Sequence, residues 1–177
     1  MLTLANRLTI LRILMTPIII VLLFYREIGA AFALFMLAGL TDGLDGFFAR
    51  RQGQRTALGM VLDPLADKLL LMSSVVVLTK LKELPNWFTI IVVSRDLILI
   101  GGALILYMFI GKISLPPSWL GKATTVLQIA TVLLAMLDNF FPPLEAAVVP
   151  MAVAALACTV GSGLDYIYRG ARLLNDQ

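Results

Sequence analysis

Between Glu145 and Asp165 the chain carries no charged residue. A helix needs about 20 predominantly apolar residues to cross the hydrocarbon core of a bilayer, so this run nearly spans it unaided. The rest of the chain agrees. Of its 177 residues 60% are hydrophobic and 14% charged, and the mean hydropathy is +0.95, whereas a soluble domain averages about 45–50% apolar and about 25% charged residues. The sequence therefore predicts an all-α integral membrane protein, with residues from Ala146 to Leu164 in its last transmembrane helix. The single cysteine, Cys158, lies inside that run. It leaves neither a disulfide framework nor a thiolate metal site to consider, and reads as a small packing residue.

Six spans are predicted along the chain. The first runs roughly from Leu8 to Phe24 and carries Pro17; the second from Ile28 to Phe48; the third from Gly59 to Leu78. A fourth follows Pro85 to about Ile110 with Arg95 and Asp96 inside it, a fifth covers Leu120 to Leu137, and a sixth follows Pro142 and Pro143 to about Tyr168. No small-residue cleavage site follows the first apolar stretch before Arg26, so that helix is expected to remain. With neither internal repeat nor interdomain linker, residues 1–177 read as a single membrane domain.

Basic residues orient the bundle. If the N-terminus is cytoplasmic, Arg7, Arg12, Arg50, Arg51, Arg55, Lys112, Lys122, Arg169 and Arg172 fall on the cytoplasmic side, and only Arg26, Lys80 and Lys82 on the other. The positive-inside tendency thus places both termini in the cytoplasm, with Lys68 and Arg95 within the membrane. A net charge of +3 and a pI near 9.2 suit contact with anionic lipid. They are too small to argue for nucleic acid, which is excluded as a partner.

Against this apolar background stand four carboxylates. Asp42 and Asp45 are three apart and Asp63 and Asp67 four apart, so on a helix each pair faces one side. Burying one charge at the bilayer centre costs on the order of 3 kcal/mol, and a cluster of like charges needs cations to hold it. Two such helices side by side make a cage of hard oxygen ligands suited to Mg²⁺, and a pair of divalent ions is a recurrent solution for exchanging one oxygen for another at phosphorus. The chain contains no histidine, no thiolate pair and no Gly-rich loop ending in Gly-Lys-Ser/Thr. A carboxylate must therefore serve as any general base, and Asp67, beside Asp63, is the candidate. Gly39 and Gly43 form a small-xxx-small pair suited to close helix packing. Gly46 and Gly59, next to the aspartates, suit close approach of a flat ligand, and Arg50 can reach back towards bound phosphate as a forked, permanently charged donor. Lys68 reads either as a partner neutralising Asp67 or as a site residue. Arg95 reads as a clamp for an anionic substrate or as one half of a pair with another intramembrane group. Asp138 and Glu145 flank a proline-containing turn and are expected to be solvated.

Asp42-x-x-Asp45-Gly46-x-x-Ala49-Arg50, followed after eight residues by Gly59-x-x-x-Asp63-x-x-x-Asp67, resembles the complete signature of the CDP-alcohol phosphotransferases, integral membrane enzymes of phospholipid synthesis. The resemblance extends over the chain through Asn6, Thr9 and Arg12, Pro64, and Gly121-Lys122 at the fifth span. It implies a six-helix bundle, commonly a homodimer, in which an acceptor hydroxyl attacks the lipid-linked phosphorus of a CDP-alcohol and CMP leaves. It further implies that Asp42, Asp45, Asp63 and Asp67 hold two Mg²⁺ or Mn²⁺ ions, that Asp67 is also the base, and that Gly46, Ala49, Arg50 and Gly59 line the CMP moiety.

Thr41, the Arg50-Arg51 pair and Leu62-Asp63-Pro64-Leu65-Ala66-Asp67-Lys68 resemble the phosphatidylglycerophosphate synthase and cardiolipin synthase branch, which uses CDP-diacylglycerol. In the fourth span, bacterial phosphatidylglycerophosphate synthases usually show Arg-Glu and then Leu-Arg. Here Ser94-Arg95-Asp96 is followed by no basic residue up to Leu106, which is more like cardiolipin synthases of eukaryotic type. Arg95, Lys112 and Lys122 are the cations available to an acceptor phosphate. Glycerol-3-phosphate is expected as acceptor ahead of phosphatidylglycerol, in a bacterial inner membrane with the site facing the cytoplasm. The competing class is a divalent-cation transporter using the same aspartates, which would need access from both faces.

Overall fold

The computed structural model describes the backbone of residues 4–52, 57–110 and 118–175, and the side chains of residues 9–41, 63, 65–102, 104, 108, 118–141, 143–144, 146–169 and 172. Regular structure among the described residues is helical: α1 (Leu4–Phe24), α2 (Ile28–Gln52), α3 (Ala57–Lys80), α4 (Asn86–Ile110), α5 (Trp119–Leu137) and α6 (Glu145–Asn175), the last entered through a 3-10 turn at Pro142–Leu144. Each predicted span coincides with one helix. The main differences are that α1 begins before Leu8, at Leu4, and that α2 continues past Phe48 and α6 past Tyr168. The shortest, α5, has 19 residues, or about 28 Å of helix at 1.5 Å per residue. Among the described residues, Trp119–Leu137 and Ala146–Arg169 are long and apolar enough to cross a membrane, while the apolar stretches Thr9–Phe24 and Ile28–Thr41 are shorter.

Large apolar side chains lie on the outside as well as in the core. On α1 the outward stripe is Ile10, Leu14, Ile18 and Val21, whereas Thr9, Arg12 and Thr16 are buried beside Met15, Ile19 and Leu23. In water this would expose the apolar face and desolvate the polar one. In lipid it is the favourable choice, because polar groups find partners only inside the bundle. Buried hydroxyls are satisfied locally: Thr16, Ser74, Thr131 and Thr159 each donate to the carbonyl four residues earlier, at 2.6–2.9 Å.

Contacts divide the chain into two compact units, Met1–Glu83 and Leu84–Gln177. In the first, α1 packs on both α2 and α3. Thr9 meets Asp63, Arg12 meets Asp67 and Arg26 meets Glu83, at sequence separations of 54, 55 and 57, so α1 and α3 run parallel in nearly constant register. Both end in the same way. The amides of Arg26 and Glu27 donate to Leu23 and Leu22, and those of Lys82 and Glu83 to Thr79 and Leu78, the paired closure of a Schellman cap. Arg26 and Lys82 accordingly take the left-handed conformation, with φ of 59° and 69°. Glycine would adopt it without the penalty of about 1 kcal/mol that a Cβ brings. The Arg26–Glu83 ion pair, 3.5 Å long and largely exposed on the arginine side, ties the two caps together only weakly.

In the second unit α6 packs on both α4 and α5. The α5–α6 seam is an antiparallel heptad seam of small and polar residues. Thr124, Gln128, Thr131 and Ala135 on α5 face Ala152, Ala155, Thr159 and Ser162 on α6, all buried. Thr124 donates to Ser162 at 3.2 Å and Gln128 to Thr159 at 3.2 Å. Small residues let two membrane helices approach closely, and paired hydroxyl and amide groups then fix their register. Gly39, expected to pack closely on another helix, has open space where a Cβ would stand. Its partner in the motif, Gly43, lies outside the described side chains.

Candidate active site

Asp63 and Asp67 lie one turn apart on α3, and α1 runs alongside. The hydroxyl of Thr9 donates to Oδ1 of Asp63, and Nη1 of Arg12 donates to Oδ1 of Asp67. The two donors are buried, Arg12 to 2% residual exposure. The side chain of Asp67 is 47% exposed. The carboxylate is therefore gripped from the inside and open on the outside. This arrangement corrects one expectation. Arg12 does not belong among the cytoplasmic surface cations: its neighbours Leu11 and Leu14 take the outward positions on α1, and a buried guanidinium requires an anionic partner, which Asp67 supplies. The cation on Oδ1 of Asp67 thus comes from another helix. That place is Arg12's.

The other residues of the motif are placed by their backbone alone. Asp42, Asp45, Gly46, Ala49 and Arg50 fall in the C-terminal part of α2, and Gly59 in the first turn of α3; their side chains lie outside the described residues. Both acidic pairs thus sit on helices, as the spacing predicts. Asp45 stands about 10 Å of helix before the end of α2 and Asp63 about 9 Å after the start of α3. Topology therefore brings both pairs to one end of the first unit, the end holding Thr9 and Arg12. The Arg26–Glu83 pair marks the other end, about 20 Å further along α1.

Does this donor set suit a divalent cation? A carboxylate offers about four lone-pair positions on two oxygens. Thr9 and Arg12 each engage one oxygen, orienting Asp63 and Asp67. Hard oxygens held in fixed orientation fit Mg²⁺ or Mn²⁺. Among the described residues no three His, Cys, Asp or Glu side chains come together, two of the four aspartates being outside that set.

The cations expected to meet an acceptor belong to the second unit. Arg95, in α4, gives one guanidinium nitrogen to Asp96 at 2.8 Å and another to Ser162 at 3.1 Å, while its Nε is buried and makes no hydrogen bond. Its tip reaches the first turn of α5, where a Cβ on Gly121 would stand 3.9 Å from Nη2. That turn is capped by Ser118, whose hydroxyl accepts from the Gly121 amide at 3.0 Å. Lys122 is exposed, with its ammonium 5.1 Å from the Trp119 ring centre. Lys112 lies outside the described residues. Arg95 thus joins an internal network, as its second reading anticipates, with its Nε buried and unused. The oxygen Oδ1 of Asp138, expected to be solvated, is instead buried without a hydrogen bond at the end of α5.

Reading the residues did not single out Thr9 and Arg12 as partners of the aspartates. The available signal is their spacing: a hydroxyl and an arginine one turn apart inside an apolar helix that has no acidic residue of its own.

A family model described as CDP-alcohol phosphatidyltransferase matches residues 2–161, which span parts of both units. A probable phosphatidylglycerophosphate synthase of Mycobacterium tuberculosis (strain ATCC 25618 / H37Rv) is 38% identical over 175 residues, covering 96% of this chain and 82% of the relative. The CDP-diacylglycerol--glycerol-3-phosphate 3-phosphatidyltransferase of Bacillus subtilis (strain 168) is 33% identical over 185 residues, 94% of each chain. The human CMP-forming cardiolipin synthase is 44% identical over 99 residues, covering 55% of this chain and 33% of that protein.

Proposed function

The chain belongs to the CDP-alcohol phosphatidyltransferase family, and on that premise we propose that it transfers the phosphatidyl group of CDP-diacylglycerol to glycerol-3-phosphate, giving phosphatidylglycerophosphate and CMP. The observation that carries this reading is Asp67: it is oriented by a buried arginine, yet nearly half of its side chain is open. A carboxylate serving only to neutralise Arg12 would gain by being closed off with it. In the reaction the acceptor's hydroxyl oxygen forms a bond to the lipid-linked phosphorus, the bond from that phosphorus to the CMP oxygen breaks, and CMP leaves with the electron pair. Asp67 takes the hydroxyl proton, and Arg12 holds it in position to do so. Two Mg²⁺ or Mn²⁺ ions on Asp42, Asp45, Asp63 and Asp67 would neutralise the diphosphate and lower the acceptor's pKa. Gly46, Ala49, Arg50 and Gly59 line the cytidine nucleotide in this reading.

Glycerol-3-phosphate brings a phosphate dianion, for which Arg95, Lys112 and Lys122 are the proposed cations. The tip of Arg95 lies beside the first turn of α5, where a Cβ on Gly121 would stand 3.9 Å from Nη2, and helix N-termini favour phosphate through their amides and dipole. The activities for which the bacterial relatives are named support the same acceptor. Ser94-Arg95-Asp96 and the match to human cardiolipin synthase favour a second reading, phosphatidylglycerol as acceptor. Family membership sets aside the cation transporter.

We place the chain as a single domain of six transmembrane helices in the bacterial inner membrane, with both termini and the acidic end facing the cytoplasm. With Arg12 moved inside, the remaining basic residues still favour this orientation. A homodimer is proposed on the resemblance alone. The deciding experiment incubates the purified chain with CDP-diacylglycerol and, in parallel, labelled glycerol-3-phosphate, phosphatidylglycerol, serine or inositol phosphate. Product from glycerol-3-phosphate is expected; product from phosphatidylglycerol alone selects the second reading, and turnover only with serine or inositol phosphate overturns both.

A further inference from the structure

Thr9 and Arg12 face the acidic end of the first unit from a helix that contributes no carboxylate of its own. Both are buried, at 3% and 2% exposure. They stand three apart on α1, about 4.5 Å of rise, opposite aspartates four apart on α3, about 6 Å of rise. Because α1 and α3 run parallel, one donor meets each acid.

From this we infer that Thr9 and Arg12 are positioning residues: by holding one oxygen of Asp63 and one of Asp67 they set the divalent-cation affinity of the site without being ligands themselves. The inference rests on the reading of those aspartates as metal-holding. Its physical basis is twofold. A carboxylate on a flexible Cβ must surrender rotamer freedom when it binds an ion, and a side chain already fixed has less to lose. Groups that hydrogen-bond metal ligands commonly set affinity by about 10- to 100-fold. Arg12 also brings an opposing effect, because its positive charge beside the site repels a cation. The two effects on binding have opposite signs, which makes the role of Arg12 measurable.

The test uses the full chain in detergent micelles, titrated with Mn²⁺ while free Mn²⁺ is followed by electron paramagnetic resonance, a readout that needs no turnover. Thr9→Val keeps the branched shape and loses the donor, Thr9→Ser restores it, and Arg12→Gln removes the charge while keeping a hydrogen-bond donor on a shorter arm. Thr9→Val and Arg12→Gln are each expected to weaken Mn²⁺ binding by about 10- to 100-fold, Thr9→Ser to bind close to wild type, and turnover of Thr9→Val to recover as Mn²⁺ is raised. Tighter Mn²⁺ binding by Arg12→Gln would show that the arginine acts as a competing charge and would overturn its positioning role. If Arg12→Gln does not fold, the Thr9 pair decides: wild-type affinity in Thr9→Val overturns the inference. A wild-type chain that turns over CDP-diacylglycerol but binds no Mn²⁺ overturns the metal reading as well, whereas a wild type that binds Mn²⁺ beside an unchanged Thr9→Val overturns the positioning role alone.

Discussion

Arg12 on α1 and Asp67 on α3 form an ion pair whose cation is buried and whose anion is half exposed. The asymmetry matters because the two ions have different alternatives. The guanidinium is enclosed in the bundle, whereas the carboxylate keeps a face towards solvent. The pair therefore orients Asp67 without enclosing it, as suits a group that must also react.

If the four aspartates act as one metal-dependent device, Asp42→Asn, Asp45→Asn, Asp63→Asn and Asp67→Asn each lower turnover by about 100-fold or more, as loss of a metal ligand or base commonly does. Excess chelator abolishes turnover, and Mg²⁺ or Mn²⁺ restores it. CMP release from CDP-diacylglycerol, followed with and without chelator, checks this; full activity in chelator refutes it.

Nucleotide recognition is tested by binding rather than rate. A methyl added in Gly46→Ala or Gly59→Ala is expected to weaken CMP binding while the protein stays folded, because the added Cβ prevents close approach to the backbone. Arg50→Lys keeps the charge and loses the forked donor, so its CMP affinity should fall too. Calorimetric titration with CMP measures all three, and unchanged affinities would reduce these residues to packing roles.

Arg95→Ala has two separable consequences. Removing one member of a buried ion pair costs about 3 kcal/mol of stability, and Asp96 is buried beside Arg95. If the Arg95 guanidinium also contacts the acceptor, the KM for glycerol-3-phosphate rises more than that for CDP-diacylglycerol, by a charge-assisted hydrogen bond of roughly 1.5–3 kcal/mol. Thermal unfolding reports the first effect and steady-state kinetics the second. A loss of stability with both KM values unchanged assigns Arg95 to the α4–α6 packing alone.

Lys82 offers a test of backbone strain far from the chemistry. Its φ of 69° belongs to a conformation that glycine adopts freely, so Lys82→Gly should stabilise the chain by up to about 1 kcal/mol, offset in part by glycine's greater freedom when unfolded. Lys82→Ala keeps the Cβ and should gain nothing. Comparing the denaturation midpoints of the two variants in detergent distinguishes relief of strain from loss of the lysine charge.

Six helices were legible in the sequence because long apolar runs are broken by short polar turns, and each turn has a local chemical cause. The placement of Asp42, Asp45, Asp63 and Asp67 on helices followed from their spacing, and the chemistry of four carboxylates in an apolar chain from the cost of burying charge. None of this required knowing which helix touches which. The tertiary structure alone decided that Arg12 turns inward and meets Asp67. In sequence Arg7 and Arg12 look alike, two cations before an apolar stretch. Nor does periodicity separate the faces of α1: where the exterior is lipid, the outer face is as apolar as the core, and the polar-outside pattern that marks the inner face of a soluble helix is missing. The partner of Arg12 depends on the rotation of α1 about its axis and its parallel register against α3, across a sequence separation of 55. The Arg95 network has the same origin, since Ser162 comes from a helix 67 positions away. Local chemistry determined what each segment is; packing determined which polar groups meet inside a bundle whose surroundings offer them no other partner.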